Sequence, residues 1–162
     1  MLSREIRELE HVPRWSIVRV IKRQSVAEHS YFTAMYAHEI AVRIGWASKY
    51  PDHMGQLTAY ALWHDAEECF MSDIPGPIKR GVVNKDKYKQ FSMEQSMLNW
   101  QTCKEDKIRS APQTRRREIR DIVKCASTME ELFYLMGEIQ MGNSTVKHVA
   151  EVSHTKMLHE WE

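Results

Sequence analysis

Apolar residues recur at helical spacing through almost the whole chain, and this feature limits the fold more than any other. No segment alternates convincingly between polar and apolar residues, as a half-buried strand would, and only six glycines and five prolines interrupt the pattern. The predicted helices cover residues 3–10, 26–46, 54–71, 86–106, 114–136 and 144–160, with breaks at Pro13, Pro51, Pro75–Pro77, Pro112 and Gly142–Asn143. The pattern therefore predicts an all-α fold.

The composition bounds the class of protein. The 162 residues fit one domain, 1–162, and a net charge of +1 from 23 basic and 22 acidic residues gives no electrostatic reason to bind a nucleic acid polymer. No apolar run approaches the ~18 residues of a membrane span, and the charged N-terminus is unlike a signal peptide. Three widely spaced cysteines without a CxxC pair indicate reduced thiols. We therefore expect a cytoplasmic protein with no membrane partner.

The segment "SVAEHS" predicts the start of the first long helix. Ser25 and Glu28 form an S-x-x-E capping box, so Glu28 has a structural role. His29 follows, and it shares a helical stripe with Thr33, Tyr36, Ala37, Ile40 and Ile44. A single histidine on such a stripe is usually a core or helix-end residue, and a role as a metal ligand is the alternative.

The segment "ALWHDAEECFMSDIPGPIK" strengthens that alternative. On one continuous helix, His64, Asp65 and Glu68 share a face with Leu57 and Ala61, whereas the adjacent glutamate at 67 faces solvent. Buried polar groups need partners, and a metal ion supplies one. Neighbouring residues lie about 100° apart on a helix, so the two residues of the "HD" pair can reach one ion. A mixed His/Asp shell suits zinc, manganese, cobalt or iron(II) rather than calcium.

Two further carboxylates suit the chemistry of such a site. A metal with open coordination positions activates water and neutralises phosphate charge. Glu68 lies one turn beyond the "HD" pair and could transfer the proton, and Asp73 could do similar work where the helix ends. The structural alternative for Asp73 is a turn-forming residue before Ile-Pro-Gly-Pro.

Four segments in order, "HVPRWSIVR", "SVAEHSYFTAMYAHEIA", "ALWHDAEECFMSDIPGPIK" and "IVKCAS…GEIQMGN", resemble the HD-domain phosphohydrolases. The branch with the YfbR-type 5′-deoxynucleotidases and the short phage dATP triphosphohydrolases is the most similar. The resemblance runs from about Pro13 to Asn143 and implies a helical bundle that binds a divalent ion, such as Zn, Co or Mn, and hydrolyses deoxynucleotides. It also implies a homo-oligomer, with dATP as the expected substrate and a 5′-nucleotidase acting on dNMPs as the alternative.

The resemblance also implies individual roles. The implied metal ligands are His29, His64 and Asp65; the catalytic residues Glu68 and Asp73; and the substrate-binding residues Arg14, Trp15, Ile17, Pro77 and Lys79. Arg14 and Lys79 would contact phosphate, while Trp15, Ile17 and Pro77 would contact the nucleoside. The structural alternatives are a core anchor for the tryptophan and a solvated lysine after a turn.

The chain departs from the family at the fourth ligand. An Asp is expected in a "VK-x-AD" pattern, and here Ser127 stands in "IVKCAS". A neutral hydroxyl is a poor ligand for a hard ion. The chain could be an inactivated variant that binds nucleotide without turnover, it could hold metal with three residues and water, or Glu131 could reach back from the next turn.

Overall fold

Helices form the regular structure of this chain. The computed structural model describes residues 5–75 and 104–161, and between them Ile78, Asn84 and residues 86–88, 90–91 and 94. Within these ranges the strand-like pairing is one isolated antiparallel bridge between Pro13 and Ser25. The prediction of an all-α fold is confirmed. No helix among the described residues is long and apolar enough to cross a membrane.

The helices follow one another with short connections. The α-helices with their bounds are α1 Val26–Arg43, α2 Trp46–Lys49, α3 Met54–Trp63, α4 Glu68–Met71, α5 Lys104–Lys107, α6 Gln113–Gln140 and α7 Lys147–Trp161. Short 3₁₀ helices cover Glu5–Glu10, Pro51–His53 and Ser144–Val146. The predicted helix 86–106 falls mostly outside the described residues.

Local sequence signals set three of the helix ends. The Ser25–Glu28 capping box is present, because the Ser25 Oγ accepts from the Glu28 N–H at 3.2 Å and a Glu28 carboxylate oxygen accepts from the Ser25 N–H at 2.8 Å. Helix α1 ends before Gly45, whose φ of 75° is left-handed, and α6 ends before Gly142, whose φ is 94°. The first helix is therefore shorter than predicted, and α6 is longer.

The prediction of one continuous helix over 54–71 is wrong. Helix α3 ends at Trp63, residues 64–67 form turns, and α4 begins at Glu68. In the turn, the N–H of Glu68 donates to the carbonyl of Asp65 at 3.0 Å, three residues back rather than four. The five residues from Leu57 to Glu68 therefore do not share the face of one helix.

Helix α1 lies between α3 and α6, and α7 packs on the other part of α6. Alanines at positions 34, 37 and 41 of α1 let the neighbouring helices approach closely. The main buried cluster joins them to Leu57, Ala61, Ile119, Ile122, Val123 and Ala126. A second cluster, with Leu132, Leu135, Val146 and Ala150, joins α6 to α7 and to the loop around Trp15. The packing places His29 of α1, the turn after α3 and the middle of α6 next to one another.

Candidate metal centre

Three predicted ligands converge. His29 comes from α1, and His64 and Asp65 come from the turn after α3, with one ligand atom of each lying within 4.8 Å of the others. The two Nε2 atoms are 3.2 Å apart, and Asp65 Oδ2 lies 3.1 Å from His64 Nε2 and 3.7 Å from His29 Nε2. The two histidines are buried, and 22% of the Asp65 side chain is exposed.

The second nitrogen of each imidazole has an acceptor as its partner. The Nδ1 atom of His64 lies 2.6 Å from the carbonyl oxygen of Ala61, and that of His29 contacts the carboxylate of Glu130. A carbonyl and a carboxylate accept hydrogen bonds, so we assign the imidazole hydrogens to Nδ1. Both Nε2 lone pairs then face Asp65, as metal-ligating histidines require.

The electrostatics of the cluster favour a cation. Burial lowers the pKa of His29 well below its usual range. Although burial opposes ionisation of Asp65, the adjacent His64 holds the pKa of that carboxyl well below its usual range. With the imidazole hydrogens on Nδ1, two lone pairs and a carboxylate oxygen meet here, and a cation between them would satisfy all three. Two imidazole nitrogens and a carboxylate oxygen fit zinc, cobalt or manganese.

Ser127 lies at the edge of this cluster. Its Oγ is 3.2 Å from His29 Nε2, so the departure from the family pattern does face the predicted site. Glu131 does not reach back. Its carboxylate accepts from Ser153 Oγ at 2.6 Å and lies 3.8 Å from Lys156 Nζ, because its side chain points toward α7. The explanation that Glu131 replaces the fourth ligand is therefore wrong.

The sequence reasoning missed Glu130, the residue that does face the site. It is buried, its Oε2 contacts His29 Nδ1, and its Oε1 accepts from Gln24 Nε2 at 2.5 Å. Burial raises the pKa of Glu130 to about 7, against the opposing effect of Arg14. The sequence did contain a signal for Glu130. It lies three residues after Ser127, and residues at this spacing share one face of a helix.

The predicted "RW" pair lies on the loop beside Glu130. The Arg14 side chain is 14% exposed and its Nη1 is 3.5 Å from Glu130 Oε2. That nitrogen is buried without a hydrogen-bond partner among the described residues. The Trp15 ring stacks on Tyr134 at 5.4 Å, nearly parallel, and its Nε1 donates to Gln24 at 3.1 Å. Trp15 is thus partly in the core, whereas Ile17 is exposed.

The other predicted residues are placed less completely. Glu68 is buried at the start of α4, and Asp73 is half-buried after Ser72, whose φ is 63°. Pro77 and Lys79 lie outside the described residues. The prediction that Glu67 is a solvated charge is wrong, because it is buried and its Oε1 lies 2.9 Å from Lys104 Nζ.

A cavity of about 210 Å³ reaches the metal cluster. His64, Ser127 and Thr128 form part of its wall. The basic residues of its lining are Lys104, Arg120, Lys124 and Lys156. Carboxylates pair with three of these cations: Glu67 with Lys104, Glu105 with Arg120 and Glu131 with Lys156.

Comparisons with known proteins bear on the family and the fold of this chain. A family model described as 5′-deoxynucleotidase YfbR-like matches residues 2–161. A dATP triphosphohydrolase of Salmonella phage PMBT28 is 38% identical over 84 residues, covering 49% of this chain and 43% of that protein. A 5′-deoxynucleotidase of Pasteurella multocida is 37% identical over 73 residues, covering 44% and 36%. The aligned segments therefore span less than half the length of these curated relatives.

Solved structures with the same fold include one with a metal. The cyanophage S-2L HD phosphohydrolase, bound to dA and one catalytic Zn²⁺ ion, has a TM-score of 0.67 and 23% identity, over 99% of this chain and 82% of that one. A conserved hypothetical protein from Pyrococcus furiosus has a TM-score of 0.65 and 18% identity, over 96% and 94%. At these identities the likeness shows the fold.

Proposed function

The chain belongs to the 5′-deoxynucleotidase YfbR-like family, and we propose that it is a single-domain, metal-dependent phosphohydrolase of deoxynucleotides whose substrate is dATP. The observation that carries the proposal is the meeting of two buried imidazoles and one carboxylate, whose ligand atoms all lie within 4.8 Å of one another. His29, His64 and Asp65 are the proposed ligands of a zinc, cobalt or manganese ion. When bound, such an ion supplies activation of water and neutralisation of phosphate charge.

The chain's own residues would do the remaining work. Glu68 follows the ligand pair by one turn and is the proposed group that takes the proton from water, with Asp73 as a second carboxylate nearby in the chain.

The proposed nucleotide contacts fall into two groups, those to phosphate and those to the nucleoside. Arg14 offers a buried guanidinium nitrogen without a hydrogen-bond partner among the described residues, which suits a phosphate oxygen. Trp15, Ile17 and Pro77 are the proposed nucleoside contacts, and Lys79 a further phosphate contact. The cavity beside His64 and Ser127 offers room for a phosphate group next to the proposed ligands.

Two alternatives differ in what they predict. A 5′-deoxynucleotidase would act on dNMPs, as the printed name of the Pasteurella relative states for that protein. A nucleotide-binding protein without turnover is favoured by Ser127, whose neutral hydroxyl stands beside the cluster where the family has an Asp. The family resemblance also supports a homo-oligomer as the working assembly.

The deciding experiment is a substrate screen of the purified protein with added zinc, cobalt or manganese. All four dNTPs and dNMPs are incubated with the protein, and products are separated by chromatography. We expect dATP to yield deoxyadenosine and triphosphate, and we expect Asp65→Asn to abolish this turnover. Faster release of phosphate from dNMPs would establish the 5′-nucleotidase alternative. Nucleotide binding with no turnover under any metal would establish the binding protein.

A further inference from the structure

The buried carboxylate of Glu130 has no role in the proposed reaction, although it lies in the wall of the site. Its side chain is 5% exposed, which is rare for a glutamate. Both oxygens are engaged: one accepts from Gln24, and the other contacts His29 Nδ1 and lies 3.5 Å from Arg14. A charge this deeply buried needs such partners, and the network fixes where the carboxylate points.

The contact with His29 determines what that imidazole presents to the cluster. Because the carboxylate accepts from Nδ1, the hydrogen stays on Nδ1 and the lone pair of Nε2 faces His64 and Asp65. Without this acceptor, the ring could carry its hydrogen on Nε2 or turn within its pocket. A carboxylate behind the ring also makes the imidazole a stronger ligand.

The same contact bears on the missing fourth ligand. An Asp at position 127 would add one negative charge directly at the cluster, and the hydroxyl of Ser127 does not. Glu130 lies three residues after Ser127 on α6, and the imidazole ring of His29 separates its carboxylate from the cluster. Gln24 holds that carboxylate in place from the loop before α1.

We propose that Glu130 is a positioning residue that holds His29 as a metal ligand and supplies, through the imidazole, part of the negative charge that Ser127 lacks. This inference rests on the proposed metal site. It gives Glu130 no direct contact with metal or substrate.

The test measures metal affinity on protein first stripped with a chelator. Zinc affinity is determined by competition with a chromophoric chelator, and cobalt binding is followed by its visible absorption spectrum. We expect Glu130→Gln to bind zinc about 10- to 100-fold more weakly than the native chain, and to change the cobalt spectrum. Circular dichroism confirms that the compared samples are folded.

The matched control is Glu118→Gln. Glu118 is also on α6, about three turns before Glu130, and its carboxylate contacts Trp46 and Arg115 instead of His29. Its variant should keep the native zinc affinity within about twofold. If Glu130→Gln does not fold, Gln24→Met is the deciding variant. It keeps the charge of Glu130 but removes the Gln24 amide that holds the carboxylate in place. We expect its zinc affinity to fall at least about threefold.

The outcomes separate the two proposals. Absence of metal binding by the native chain would refute the proposed metal site. If the native chain binds zinc and Glu130→Gln has the same zinc affinity and cobalt spectrum, the positioning role is overturned and the proposed function stands. Equal losses in Glu130→Gln and Glu118→Gln would also overturn it, since they would reflect a general loosening of α6.

Discussion

Lys104 donates a hydrogen bond to the main-chain carbonyl oxygen of His64, the atom that would accept the N–H of Glu68 in a continuous helix. The N–H of Glu68 bonds to Asp65 instead, and the chain leaves the helix where the "HD" pair lies. The same ammonium group pairs with the buried carboxylate of Glu67 at 2.9 Å. Although burial opposes ionisation of Lys104, the Glu67 carboxylate raises the pKa of this lysine. A lysine 40 residues away thus helps to shape the turn that carries two proposed ligands.

Replacing Lys104 with Met should destabilise the fold. The change leaves the Glu67 carboxylate buried without its cation, which costs about 3–5 kcal/mol in fully buried pairs. Because 31% of the Lys104 side chain is exposed, we expect a smaller loss of about 2–3 kcal/mol, measured by urea unfolding. Lys107→Met is the control on the same short helix. It removes a cation 3.8 Å above the Trp63 ring, for a loss of about 1 kcal/mol or less.

A double variant identifies the cause. If the loss comes from the unpaired carboxylate, Lys104→Met combined with Glu67→Met should be more stable than Lys104→Met alone. A double variant as unstable as the sum of both single variants would contradict this explanation.

The sequence predicted the features that depend on near neighbours. The Ser25–Glu28 capping box and the break at Gly142–Asn143 follow from local backbone chemistry, and both are in the structure. The end of α1 before Gly45 was not predicted, because the apolar spacing continues through this glycine to residue 46. The convergence of His29 with the "HD" pair was expected from the family resemblance. The break after Trp63 could not be predicted, because residues 64–71 contain no glycine or proline and the group that interrupts the helix comes from Lys104.

The errors on α6, where Glu130 was missed and Glu131 was considered as the fourth ligand, have a different origin. Glu130 and Glu131 are adjacent, and either could face the site if the helix were rotated by one residue, about 100°. The sequence alone does not fix that rotation. Packing of α6 against α1 and α7 turns Glu130 toward His29 and Glu131 toward Ser153.

Metal should stabilise the protein against heat. If the three ligands bind one ion in the folded state only, a free metal concentration of about 100 times Kd adds about 2.7 kcal/mol. For a chain of 162 residues, this corresponds to a rise in Tm of roughly 5–10 °C, measured by calorimetry with and without a chelator. Asp65→Asn should lose the rise, and His148→Ala, at an exposed histidine away from the cluster, should keep it. An equal rise in Tm in both variants would show that the metal binds at another site.

Replacing Ser127 with Asp should strengthen metal binding and raise turnover. The new carboxylate would lie beside His29 Nε2, where the hydroxyl is now 3.2 Å away, and we expect a gain in zinc affinity of about tenfold or more, that is 1.4 kcal/mol or more. Without metal, the same change places a second anion near Asp65, so the Tm of the stripped protein should fall. Ser127→Asn is the neutral control of equal size. Zinc affinity and turnover that stay at the native level would show that position 127 is not a ligand position.

Replacing Glu138 with Gln should loosen the loop that carries Arg14 and Trp15. The carboxylate accepts from the N–H groups of Ile21 and Lys22 at 2.6 and 2.8 Å and from the Asn143 amide at 2.7 Å. An amide has one acceptor oxygen, so its NH₂ group would face a backbone donor, at a cost of about 1–3 kcal/mol in unfolding free energy.

The effect of Glu138→Gln on function should appear in KM rather than in kcat. Asn143 also donates to the carbonyl of Arg19 at 2.9 Å, so the pair fixes the loop from two sides without contacting the metal cluster. If Arg14 and Trp15 bind the nucleotide, a looser loop raises KM severalfold and leaves kcat and zinc affinity near native. A fall in kcat with unchanged KM would contradict this role.

The stability difference between the native chain and Glu138→Gln should depend on pH in one direction. Although burial opposes ionisation, the backbone N–H groups of Ile21 and Lys22 and the Asn143 amide hold the pKa of Glu138 below its usual range. A carboxyl with a lowered pKa in the folded state stabilises the fold above its unfolded-state pKa of about 4.3 and loses that contribution as pH falls through its folded pKa. The free energy of unfolding of the native chain should therefore exceed that of the variant by a constant amount near neutral pH. This difference should shrink below about pH 4. Urea unfolding of both proteins between neutral and acidic pH measures this difference. A difference that does not depend on pH would show that the variant loses stability through packing rather than through the charge of Glu138.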